Sequence, residues 1–184
     1  ARRQRQMCIR DSLRTTPDAI PMLVQKDNMA MLVRHKVFTE SELRSRYEIQ
    51  LENYCKTVRI EALTMVDMAR KEILPSVEAY VSDLATAAAA KGAVSEELPW
   101  GYEKKLLRKL ASLVDTMDGR VDSLEEKLVR LDTLRDTTEE AAFIRDELIP
   151  AMGELRAVAD ESETQTAAKY WPFPTYGELL FSVK

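Results

Sequence analysis

His35 is the single histidine of the 184-residue chain, and Cys8 and Cys55 are its only thiols. One imidazole cannot build a His-rich metal site or the paired Glu-x-x-His of a four-helix di-iron centre. No Ser/His/Asp or Cys/His arrangement is legible around His35, and its place near a helix end suits capping or packing better than base chemistry. The two cysteines lack metal-ligand spacing and read as reduced thiols of an intracellular protein. A phosphate-cradling turn would need clustered glycines, yet the five present, at 92, 101, 119, 153 and 177, never come closer than nine residues. That excludes a P-loop or a dinucleotide-binding turn. The 31 acidic residues fall on polar faces between caps and apolar stripes, where solvated helix surface explains them better than a catalytic pair. No catalytic, cofactor-binding or metal-binding residue is therefore assigned. Tyr170, Trp171, Phe173, Tyr176 and Phe181 have only Lys169 and Lys184 around them, and the net charge is −4. Nucleic-acid stacking and attraction to anionic membranes are not supported.

The elements that must carry these residues are helices. Ala, Leu and Glu contribute 60 of the 184 residues, and all three favour helix. Thr16 is expected to cap a short helix with Pro17 in its first turn, running to about Val24. Asp27 or Asn28 starts a second short helix that ends near Lys36. Thr39-Glu40-Ser41-Glu42 is a capping box, after which Leu43, Tyr47, Leu51, Tyr54, Val58, Ala62, Met65, Ala69 and Ile73 recur in steps of four, four and three. That eleven-residue period keeps one stripe aligned on a nearly straight helix. Pro75 should kink this helix rather than end it, and the pattern resumes through Val77, Tyr80, Val81 and Leu84 to stop at Gly92. No run of 18 apolar residues exists to span a membrane.

Beyond the breakers of 92–101, a heptad begins. Leu107, Val114, Val121 and Leu128 occupy one seam position, and Leu110, Met117, Leu124 and Leu131 the other. Arg120, Glu125, Lys127 and Asp132 suit the rim of that seam. Thr137-Thr138-Glu139-Glu140 reads as another capping box, starting a stripe of Ala141, Ile144, Leu148, Met152, Leu155 and Ala159 that fades to Ser162 and Thr166. The short turn favours an antiparallel hairpin within one chain over a parallel intermolecular coiled coil. The fold class expected is all-α: a kinked helix over about 40–90, a hairpin of about 102–135 and 138–168, short N-terminal helices, and an extended aromatic tail. Residues 13–169 form the helical domain in this reading and 170–184 a docking tail, because Pro172 and Pro174 exclude helix and the aromatics need cover. The apolar face at Ile60, Leu63 and Val66 is one candidate receiver, and a domain outside this segment is the other and the favoured one. Residues 1–12 read as translated adapter sequence, a non-native tail, with a genuine basic tail as the alternative.

Two stretches are more specific than a generic bundle. Asn53-Tyr54-Cys55-Lys56-Thr57, Ile60-Glu61-Ala62-Leu63-Thr64-Met65 and Met68-Ala69-Arg70-Lys71 form one; Glu154–Asp160 with Trp171-Pro172-Phe173-Pro174-Thr175-Tyr176 forms the other. Together they resemble the C-terminal region of type III glutamine synthetases from about Thr15 to Val183. The resemblance implies a cytoplasmic parent enzyme, an ATP-dependent glutamate–ammonia ligase using Mg or Mn. It also implies an upstream catalytic domain and neighbouring subunits of a ring-shaped homo-oligomer as partners. The family's metal, ATP and glutamate ligands lie upstream of this segment, so none is carried onto its residues. A free-standing cytosolic helical adaptor is the alternative.

Overall fold

A computed structural model describes residues 13–95 and 99–181, with the Tyr176 side chain left out. Residues 1–12, Cys8 among them, and residues 182–184 lie outside that description. Short helices come first: α1 (Thr16–Ala19), a 3-10 turn (Ile20–Val24) and α2 (Lys26–Arg34). The long elements are α3 (Glu40–Met68), a π-helical turn (Ala69–Ile73), α4 (Leu74–Val94) and α5 (Gly101–Leu131). After a turn come α6 (Thr137–Phe143), a second π turn (Ile144–Leu148), α7 (Ile149–Gln165) and the short α8 (Tyr176–Phe181). The described residues contain no strand, and the fold is an all-α bundle.

Local chemistry places the starts. Thr39 and Glu42 cap reciprocally: the Thr39 amide donates to Glu42 Oε2 at 2.7 Å, and the Glu42 amide to Thr39 Oγ1 at 3.3 Å. Two expected caps move by one residue. Thr15, not Thr16, precedes the first helix. Asp136, rather than Thr137, caps α6, accepting from the Glu139 amide at 3.1 Å, since a carboxylate is the stronger acceptor for that orphan donor. α2 ends in a left-handed residue, Lys36 at φ 55°, with Val37 N–H donating to Leu32 O and Lys36 N–H to Val33 O. That pair of bonds is a Schellman cap built without glycine. His35 is the exposed C-cap residue just before it.

Both prolines inside the long helices follow a π turn by the same offset: Ala69–Ile73 before Pro75, and Ile144–Leu148 before Pro150. A proline donates no hydrogen bond and its ring crowds the preceding turn, so a locally wider turn relieves both problems without ending the helix. The residues before them, Leu74 and Ile149, accordingly keep helical angles. The wider turn also keeps the four-residue steps Ala69, Ile73 and Val77 on one buried face. α4 then runs through Gly92 to Val94, two residues beyond the expected stop.

The helices are shared between two compact units. The first comprises the described parts of Ala1–Ala62 and Lys127–Pro150. Its core is Ile20, Leu43, Leu51, Cys55, Val58 and Ala62 with Leu128, Leu131, Ala141, Ile144 and Leu148. Cys55 takes the buried place that the periodicity assigns to Tyr54, which stays half-buried. Ion pairs fix the helix order: Arg59 to Asp132 at 2.7 Å, Lys127 to Glu147 at 2.5 Å and Arg145 to Asp18 at 2.9 Å.

The second unit comprises Leu63–Glu126 and Ala151–Lys184. Ala69, Ile73 and Val77 pack in its core with Leu110, Met117, Val121, Leu124, Ala151 and Leu155. Lys109 pairs with Glu161 at 3.0 Å and Arg120 with Glu154 at 2.6 Å, so numbering rises along one helix as it falls along the other. α5 and α7 are antiparallel partners within this unit. Arg70 meets Asp118, Asp122 and Glu125, while Lys91 pairs with Glu103, an order that sets α4 antiparallel to α5.

Candidate functional site

The second unit carries a concave site built around the aromatic tail. Ser162 in the last turn of α7 and Thr166 just past its end are polar residues in buried positions. Each hydroxyl donates back to the carbonyl four residues earlier, at 2.8 Å, which satisfies the group without a partner from another helix. Tyr170 then turns the chain onto α4. Its ring stacks on Tyr80 with centroids 5.0 Å apart, its phenol donates to Asp83, and Lys169 sits 4.4 Å above its ring. Burial pushes the Tyr80 phenol pKa up, and the bond to Tyr170 raises that of Lys169.

Past that anchor, Pro172 and Pro174 hold the chain out of helix, and Trp171 meets Phe173 edge-on at 6.2 Å. These two rings line a groove of about 250 Å³ together with Met65, Met68, Ala69 and Ile73 on one side and Leu155 and Ala159 on the other. Arg156, Asp160 and Glu163 stand at its edge. Trp171 and Phe173 are half-buried. The tail therefore lies against the methionine face one to two turns beyond Ile60 and Leu63, which remain exposed at 63% and 48%.

The tail is extended only in part. Tyr176–Phe181 is helical, started by a Thr175–Glu178 capping box in which the Thr175 amide donates to Glu178 Oε2 at 2.7 Å. That bond also holds the Glu178 carboxyl below its ordinary range. The T-x-x-E signal was present in the sequence, masked by the neighbouring prolines. Phe181 is 79% exposed at the far end, apart from the groove's rings.

The expected seam divides. Leu110, Met117, Val121, Leu124, Leu128 and Leu131 are buried, whereas Leu107 and Val114 are half-buried and Leu106 and Leu113 take their places. A straight helix drifts against a strict seven-residue repeat, so a stripe anchored at Leu131 rotates by one residue over several turns. The rim charges do more than face water. Arg120, Glu125, Lys127 and Asp132 each reach a neighbouring helix, as Glu154, Arg70, Glu147 and Arg59 answer them. The Arg70 fork among three carboxylates was not foreseen, because its partners lie 48 to 55 residues away. Hydrogen bonds that the guanidinium donates to Glu125 first, then to Asp122, raise its pKa further.

Among the described residues, no group of three or more His, Cys, Asp or Glu side chains is disposed to hold a metal ion. None of their helices is long and apolar enough to cross a membrane.

The family model described as the glutamine synthetase C-terminal domain matches residues 5–92. A glutamine synthetase of Butyrivibrio fibrisolvens is 34% identical over 94% of this chain, and a type-3 glutamine synthetase of Dictyostelium discoideum 26% identical over 92%. A glutamine synthetase of Bacteroides fragilis is 28% identical over 90%. The chain spans about a quarter of the length of these relatives: 25%, 24% and 23% respectively. These matches place this chain in the glutamine synthetase family, as a C-terminal region.

Proposed function

We propose that this chain is the non-catalytic helical C-terminal domain of a cytoplasmic type III glutamine synthetase, whose parent forms glutamine from glutamate, ammonia and ATP with Mg or Mn. The observation that carries this reading is alignment of nearly the whole chain with a quarter of each relative. The catalytic residues, and the ligands for ATP and metal, belong to the remaining three quarters in this proposal. The domain's task is then mechanical: it packs against the catalytic part of its own chain and against neighbouring subunits of a ring-shaped homo-oligomer. Charged pairs along α3, α5 and α7 set the register of the helices, each contributing up to about 1 kcal/mol at such exposure. Buried leucines supply the stability.

The test compares purified 13–184 with the parent enzyme. The fragment is expected to form no glutamine and to bind ATP no tighter than about 1 mM, roughly −4 kcal/mol. Turnover by the fragment would overturn the assignment. Unchanged assembly and activity in a parent enzyme lacking this region would overturn the mechanical role.

A further inference from the structure

We propose that Met65 and Met68 form an oxidation site that controls whether the aromatic tail stays in its groove. Both thioethers lie one helical turn apart on α3, both are half-buried, and both line the groove beside Trp171 and Phe173. Thioethers are soft, polarisable partners for aromatic rings and cost nothing to desolvate. A sulfoxide is polar, and burying it against rings and aliphatic side chains without a hydrogen-bond partner is unfavourable. The aliphatic walls Ala69, Ile73, Leu155 and Ala159 have no side-chain donor to offer it, and the donors of the lining are the exposed Arg156 guanidinium and the indole N–H of Trp171 in the tail itself. Oxidation of either sulfur therefore favours release of the tail.

The chemistry needs a peroxide as oxidant. The sulfur lone pair attacks a peroxide oxygen, the S–O bond forms, the O–O bond breaks, and the second oxygen leaves as water after taking up a proton. The sulfur is oxidised and the peroxide reduced by the same electron pair. Position separates this pair from the other described methionines. Met117 is fully buried, and Met22, Met29, Met31 and Met152 do not line the groove. The groove is open enough to solvent for a small peroxide to enter, because both rings and both methionines are only half-covered.

Trp171 reports the state directly. The full chain carrying Trp100→Phe has one tryptophan left, and acrylamide quenching of its emission is measured before and after hydrogen peroxide, with oxidised positions mapped by mass spectrometry. Oxidation at Met65 and Met68 should increase quenching severalfold, and methionine sulfoxide reductases should reverse it. Met65→Leu with Met68→Leu keeps the wall apolar and should abolish the response. Met65→Gln with Met68→Gln, a standing polar substitute, should raise quenching without peroxide, with helix content checked by circular dichroism. Unchanged quenching in chains shown to be oxidised at both positions would overturn the proposal. So would an equal response in the double-leucine chain, or resistance of both sulfurs under conditions that oxidise exposed Met31.

Discussion

Tyr170 stacks on Tyr80 at a centroid distance of 5.0 Å, and its phenol donates to Asp83 one turn further along α4. This contact joins the end of α7 to α4 and sets where the tail begins. A stacked aromatic pair contributes about 0.5–1.5 kcal/mol beyond its burial. Tyr170→Ala should therefore expose the bond after Lys169 to trypsin much faster than in the unsubstituted chain. Tyr170→Phe keeps the stack, loses the solvent-accessible hydrogen bonds of the phenol to Asp83 and with Lys169, and should cost about 0.5–1.5 kcal/mol. Limited proteolysis followed by mass mapping reads both.

The seam gives a direct measure of core packing. Leu124 and Leu110 are fully buried in the second unit, so truncating either to alanine should cost about 2–5 kcal/mol in denaturant unfolding. Leu107→Ala, at a half-buried position, should cost clearly less. Equal losses at 107 and 110 would contradict the rotated stripe.

Gly119 lies mid-helix in α5, and a Cβ there would meet nothing within 4 Å. Gly119→Ala should stabilise by about 0.5–1 kcal/mol, read as a higher denaturant midpoint with an unchanged slope.

Lys36 presents the opposite case. At φ 55° its side chain carries the strain of a left-handed conformation. Lys36→Gly removes that strain and retains the Schellman bonds, for a net gain of about 0.5–1 kcal/mol after the added freedom of the unfolded glycine. Lys36→Val, β-branched at the same position, should lose stability instead. Denaturant midpoints of the two variants check the sign.

Cys55 makes a pH-dependent prediction. Burial first, and the Glu140 carboxylate second, push its thiol pKa from 9.0 up to about 11. The folded state thus resists the thiolate more than the unfolded state does. Stability from this group is complete below about pH 9 and falls as pH rises from 9 towards 11. Unfolding curves of the parent chain and Cys55→Ala should differ by a constant amount below pH 9 and converge above it. Alkylation of native Cys55 near neutral pH should be slow.

The sequence by itself determined the helices and most of their faces. Apolar spacing along 43–73, 107–131 and 141–159, sparse glycine and an explicit Thr39–Glu42 box leave few alternatives, because helix hydrogen bonds and caps are local. It also determined family, through local motifs in α3 and in the tail. Three features were decided only in three dimensions. Leu106 and Leu113 displaced Leu107 and Val114 because the neighbouring helices define which side of a drifting stripe is inward. Arg70 chose Asp118, Asp122 and Glu125 from many surface carboxylates because antiparallel packing brought that row alongside. The tail settled against Met65 and Met68, with Trp171 and Phe173 as groove walls, because Tyr80 and Asp83 fix its root. Periodicity specifies a face; only packing specifies what covers it.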